Sequence, residues 1–184
     1  MTSYEAACAA IDQANAQDPR NHELPYSQRM VEWTRKLAPG ASEELLLAVR
    51  AQHVRRWETP RTAYPEGRAG YLRWREALKK VHADLLAAIM REAGYAEASA
   101  AKAAGLLLKK NLAADPEGQT LEDAACLVFL QFEFAEFSGK TEPGKMVDIL
   151  RKSWGKMSPA ARDQALKLQL GDAELNLVKK ALEK

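Results

Sequence analysis

No stretch of four or more residues in this chain alternates apolar and polar side chains as an exposed strand would. Almost every segment instead returns an apolar residue at each third or fourth position, the spacing that lines one face of an α-helix. An all-α fold follows. The 184 residues suit one domain. It is read as a compact bundle of about eight or nine helices over residues 1–184, with a core at about 1–138 and a C-terminal helical appendage at about 139–184.

Punctuation residues divide the pattern. A first helix covers about Ser3 to Ala16 and stops before Asp18-Pro19, because a residue ahead of proline is pushed out of the helical region. A second begins near Pro25, sets Tyr26, Met30, Trp33 and Leu37 on one face, and ends at Pro39-Gly40. Ser42 caps a third, with Glu43 and Glu44 in its first turn and Leu45, Val49 and His53 on its inner stripe. The stretch WETPRTAYPEGRAG, with two prolines and two glycines, is a loop of the length that often carries function. A long helix from about Ala69 to Ala93 then carries Tyr71, Trp74, Leu78, His82, Leu85 and Ile89, and Gly94 ends it. After a helix at about 97–109 and the connector NLAADPEGQ, Thr120 caps a helix whose inward residues are Asp123, Cys126, Leu127, Leu130, Phe134 and Phe137. Thr141, Ser158-Pro159 and Asp172 open three shorter helices.

Composition excludes several classes. With 47% hydrophobic and 28% charged residues the chain is not of disordered type. No apolar run has the length of a membrane helix. The opening MTSYEAACAAIDQANAQDPR lacks a basic segment followed by an apolar one, so a cytoplasmic protein is expected. Cys8 and Cys126 stand too far apart to suggest a disulfide framework, and there is no CxxC pair. P-loop, dinucleotide glycine, HExxH and GxSxG signatures are absent.

Charge is uneven. Between Arg50 and Lys80 nine basic residues face three acids, in a chain whose net charge is only +2. Trp57, Tyr64, Tyr71 and Trp74 are interleaved with them, which suggests an anionic partner met over a limited surface. Solvated helix faces with their stems over the core would give the same count. Within AQHVRRWETPR, His53 stands beside Arg55, Arg56, Trp57 and Arg61, and guanidinium forks bind carboxylate or phosphate through paired hydrogen bonds. Lys79, Lys80, Lys109 and Lys110 extend the positive surface. Glu58 is either a proton acceptor or a loop clamp paired with an arginine.

His53, His82 and Asp123 each fall in line with apolar neighbours on separate helices. Two imidazoles and a carboxylate suit a divalent transition metal, Mn, Fe, Co, Ni or Zn, with positions left open for water or substrate. Each has a plainer account: a histidine hydrogen-bonded inside the core, and Asp123 as one half of a capping box with Thr120.

The runs LPYSQRMVEW, AVRAQHVRRWETPR, AGYLRWREALKKVHADLLAAIMREAGY, QTLEDAACLVFL and MVDILRKSWGKMS resemble domain-of-unknown-function family 4202 over nearly the whole chain. That resemblance implies an all-helical protein and carries no activity to transfer. AQHV, VHADLLAAI and LEDAACLVFL are more distantly similar, in order, to the metal-binding helices of HD-domain phosphohydrolases. The similarity implies an HD-like core with His53, His82 and Asp123 as the metal ligands. Two positions depart from that pattern, Val54 after His53 and Tyr26-Ser27-Gln28 on the early helix, and they argue against a two-metal centre.

Three functions are therefore weighed. The first is a metal-dependent hydrolase of a phosphate-bearing small molecule or nucleotide. In it His53, His82 and Asp123 hold the metal, Arg55, Arg56, Arg61, Trp57, Lys79 and Lys80 bind the substrate, and Glu58 or Glu122 takes the proton. The second is a non-catalytic nucleotide- or RNA-binding module, and the third a helical interaction scaffold.

Overall fold

The computed structural model describes residues 1–109 and 115–183. Its α-helices are α1 (Ser3–Asn15), α2 (Glu23–Leu37), α3 (Glu43–Ala51), α4 (Gly67–Glu92), α5 (Glu97–Leu108), α6 (Pro116–Val128), α7 (Phe134–Gly139), α8 (Pro143–Lys156), α9 (Pro159–Ala165) and α10 (Asp172–Leu182). No strand occurs among the described residues. Among the described residues ten α-helices stand where eight or nine were expected, because the run foreseen from Thr120 to Phe137 changes its winding. Phe129–Glu133 is π-helical and separates α6 from α7. The chain divides into two compact units, Met1–Gly118 and Gln119–Lys184, so the division falls within α6 and ahead of the boundary expected near residue 138. Lys110 and connector residues 111–114 lie outside the described residues. Among the described residues no helix is long and apolar enough to cross a membrane.

In the first unit, local chemistry starts and stops the helices much as their residues suggest. Thr2 and Glu5 form a capping box on α1, with the Glu5 N–H donating to the Thr2 hydroxyl at 3.2 Å and the Thr2 N–H to the Glu5 carboxylate at 2.7 Å. The Leu45 N–H donates to the Ser42 hydroxyl at 3.1 Å, capping α3. Gly94 has a φ of 91°, and the Tyr95 N–H reaches back to the Met90 carbonyl at 2.9 Å to close α4. Helices α1 and α2 pack with α3, and α5 lies against α3 and α4. Ile11, Met30, Leu45, Leu47, Leu86 and Met90 are fully buried between them, each contributing about 1.5–3 kcal/mol of apolar burial. The stripe on α4 is rotated from the expected one. Leu78 and His82 are buried, but Tyr71 is 42% exposed, and Leu86 and Met90 are buried where Leu85 and Ile89 were expected. Fixed steps of three and four drift against a 3.6-residue turn over so long a helix.

In the second unit α8 packs against α10, and Leu121, Leu127, Phe134 and Met146 are fully buried. Ser158 caps α9 with Pro159 in its first turn, as expected. Two caps are corrected. Helix α6 begins a turn before Thr120, and the Glu117 N–H donates to the Asp115 carboxylate at 3.0 Å, so Thr120 lies inside the helix and forms no capping box with Asp123. Helix α8 is capped by Glu142, whose carboxylate accepts the N–H groups of Gly144 and Lys145 at 2.9 and 2.8 Å. The Thr141 hydroxyl instead donates to the Phe137 carbonyl at 2.8 Å. Phe137, expected inward, is 44% exposed beyond the π-helical stretch.

Candidate functional site: an imidazole and carboxylate cluster in the first unit

Helix α3 ends at Ala51, so His53 lies in the turn beyond it, four residues after Val49. The chain then turns sharply. Arg55 has a left-handed φ of 52°, a conformation that non-glycine residues adopt at a cost and that recurs at functional sites. Two short 3-10 turns, Arg56–Glu58 and Arg61–Ala63, carry the loop onward.

The loop is tied to α4. The Trp74 indole N–H donates to the Thr59 carbonyl at 2.8 Å, and Arg61 donates to the carbonyls of Tyr64 and Gly67 at 2.9 and 3.3 Å. A Cβ on Gly70 would lie 1.8 Å from the Pro65 carbonyl oxygen, so the loop backbone rests directly on α4.

Held this way, His53 is part of a layered stack. The Tyr26 ring lies parallel to its imidazole, with centroids 4.0 Å apart and an interplanar angle of 8°. Arg56 Nη1 lies 2.7 Å from Nε2 and 3.4 Å from Nδ1. A donor on the Nε2 lone-pair axis would be much farther from Nδ1, so the guanidinium covers the ring face, on the side away from Tyr26. Beyond it the Trp74 ring lies 5.1 Å from Arg56 Cζ.

The edge of His53 meets a carboxylate. Glu23 Oε2 is 3.2 Å from Nδ1, an ion-pair distance off the line of a hydrogen bond, and this oxygen has no hydrogen-bond partner. Glu23 is 1% exposed. Asp18 holds it there by accepting the N–H groups of Arg20, His22 and Glu23 at 3.1, 2.9 and 3.2 Å, capping the start of α2.

His82 on α4 completes the group. Its ring centroid is 6.2 Å from that of His53, and its Nδ1 is 2.9 Å from the Val54 carbonyl oxygen. A carbonyl only accepts, so Nδ1 carries the proton and Nε2 presents a lone pair. Nε2 is buried and has no hydrogen-bond partner.

Burial sets the charge states. Loss of water around the His53 ring, then the charge of Arg56 and those of His22, Arg75 and Lys109, hold its pKa well below the ordinary value. Burial likewise lowers His82 to about 3, with His53 adding to the shift. Burial raises Glu23 above the usual carboxylate range, although His22 and Arg56 oppose the shift. For Asp18 burial opposes ionisation, but the three backbone N–H groups outweigh it and hold the carboxyl below its usual value. Two neutral imidazoles thus share the site with a buried carboxyl group, under a positive surround.

Of the residues singled out in sequence, the structure brings His53, His82 and Arg56 together. Arg55 pairs loosely with Glu58 at 3.8 Å, and Glu58 is exposed. Trp57 is half-buried, and Arg61 serves the loop backbone. Lys79 pairs with Glu76 at 2.5 Å, and Lys80 is exposed. Glu122 and Asp123 belong to the second unit. There Asp123 Oδ1 accepts the Gln119 side-chain amide and the Ser158 N–H, both at 2.9 Å. Among the described residues no group of three or more His, Cys, Asp and Glu side chains is arranged to hold a metal ion.

Glu23 is the residue that sequence reasoning missed. One step of three back from Tyr26, on the stripe that continues to Met30 and Trp33, would have found it as an acid on a buried face. Residues 5–178 match the model of the family described as Domain of unknown function (DUF4202). No curated protein and no solved structure matches the chain.

Proposed function

Because the chain belongs to the DUF4202 family, whose description names no activity, its function has to be read from its own side chains, and we propose that it hydrolyses a phosphate-bearing small molecule or nucleotide at the His53 site. The observation that carries this reading is the His53 ring held between Tyr26 and Arg56, with the buried Glu23 carboxyl group 3.2 Å from its Nδ1. Held neutral, His53 keeps a ring lone pair that can take a proton, and the Glu23 carboxyl group beside Nδ1 favours its arrival. His53 takes the proton of the water that attacks phosphorus, the P–O bond to the alcohol breaks, and the imidazolium returns that proton to the departing oxygen, its charge offset meanwhile by Glu23. Arg56, with the charges of Arg75 and Lys109 that already act on His53, offsets the phosphate.

An HD-like core with a divalent metal is the finer form of this reading, and it rests on the order His53, His82, Asp123. The residues present do not fit a metal at His53, because a guanidinium already lies 2.7 Å from Nε2 and the described residues offer no third ligand. The proposed chemistry therefore runs through the side chains of the first unit.

The test is phosphate release, together with a thermal-shift screen of the intact protein against inorganic phosphate, sugar phosphates and nucleotides. The expected result is stabilisation by at least one of these and a turnover that His53→Ala lowers by about 100-fold or more. Neither stabilisation nor phosphate release in the wild-type protein rejects the proposal.

Exposed Tyr71, with Arg75 Cζ 5.9 Å from its ring, favours a second reading, a nucleotide- or RNA-binding module on the outer face of α4. Binding of that kind falls steeply with added salt, whereas the buried His53 site is much less sensitive.

A further inference from the structure

Of the two imidazoles in the site, the proposed hydrolysis uses only His53. His82 is 4% exposed, its Nδ1 proton is committed to the Val54 carbonyl, and its Nε2 lone pair has no hydrogen-bond partner. A buried acceptor left unmatched in the free protein calls for an explanation, and a site for a donor supplies one. What can match it is chemically narrow. An ionised phosphate oxygen is an acceptor only and would be repelled by the lone pair. A hydroxyl or amine hydrogen fits. Because burial keeps the ring neutral down to a pH of about 3, it stays an acceptor at any pH at which the protein would work. Glu23 Oε2 is the other buried atom of the cluster without a hydrogen-bond partner, whereas Arg56 brings donors to the face of His53.

We infer that His82 is a specificity-determining residue whose Nε2 accepts a hydrogen bond from an O–H or N–H of the ligand, so that the site takes a phosphate compound carrying a hydroxyl or amine group in preference to a plain alkyl phosphate. The inference rests on the phosphate reading above and names its substrate class. A site built around such a hydrogen bond discriminates strongly against ligands that lack the donor, because the protein atom is then left unmatched.

Two pairs of phosphate monoesters, one member with the donor and one without, test it on the full chain by calorimetry at about pH 8, where the esters carry no P–O–H: ribose 5-phosphate against its O-methylated form, and 2-aminoethyl phosphate against ethyl phosphate, with methyl phosphate as reference. In at least one pair the donor-bearing member is expected to bind at least about tenfold more tightly. His82→Asn keeps an amide donor for the Val54 carbonyl and lacks the Nε2 acceptor. It is expected to reduce that preference to within about twofold while methyl phosphate binds as before. Should this variant fail to fold, 15N spectra of the wild-type histidines decide instead: the His82 Nε2 resonance moves with the donor-bearing ligand and stays put with methyl phosphate. Equal binding within both pairs, or a preference that survives in His82→Asn, overturns the inference while leaving the phosphate site standing. If even inorganic phosphate and the nucleotides fail to bind, the phosphate reading falls and the inference falls with it.

Discussion

Buried polar side chains occur in both units, and they meet different fates. In the second unit Asp123 is 4% exposed on the inner face of α6, and its carboxylate accepts hydrogen bonds from Gln119 and from the Ser158 backbone at the start of α9. In the first unit His82 is equally buried and Glu23 more so, yet each keeps an atom without a hydrogen-bond partner, and both border His53. Along the chain the three look alike, each a polar residue in an apolar stripe. What separates them is the complement around them. A matched group holds two helices together, whereas an unmatched one costs stability that an added partner would recover.

That contrast predicts different mutational signatures. The largest effect belongs to His82 in acid. A ring whose pKa falls from its ordinary 6.5 to about 3 binds fewer protons folded than unfolded between those values. Its contribution to stability is therefore complete above pH 6.5 and is lost progressively as pH falls toward 3, on the order of a few kcal/mol in all. Denaturant melts at a series of pH values should show a markedly flatter acid limb in His82→Asn than in the wild type. An unchanged slope would mean that His82 is not held neutral by burial.

Asp123→Ala should come next, lowering stability by about 2 kcal/mol in denaturant melts by leaving the Ser158 N–H and the Gln119 amide unmatched. Any stabilisation by phosphate ligands should survive it. Loss of that stabilisation would break the contrast and return Asp123 to the metal-ligand role first suggested for it. The smallest effect is expected at Glu58, where replacement by Ala should change stability by less than about 0.5 kcal/mol and leave ligand binding intact, since its ion pair with Arg55 is loose and exposed.

Features decided by a few neighbouring residues were legible from the chain. The Ser42 and Ser158 caps, the left-handed turn at Gly94 and the all-helical character each follow from local sterics and hydrogen bonding. Features decided by neighbours in space were harder to read. Thr120 has the chemistry of a cap, but Asp115 and Pro116 start α6 first. Stripes projected over many turns drift, so Tyr71 came out exposed and Met90 buried. In the candidate site, His53, His82 and Arg56 were marked by type, since imidazole and guanidinium groups are conspicuous among apolar neighbours. Glu23 was not, because an acid in the first turn of a helix is ordinarily a solvated partner of the helix dipole. Only the packing of α2 against α3, which brings Tyr26 and Glu23 to His53, reveals its place.

The seating of Pro65 upon Gly70 reaches further than its size suggests. With the ribbon of chain that follows His53 pressed onto the helical axis beneath it, there is no room between them for a single added carbon. One methyl group at residue 70 would act as a wedge, prying the ribbon off the helix and undoing the seat from which the Arg56 arm reaches the imidazole.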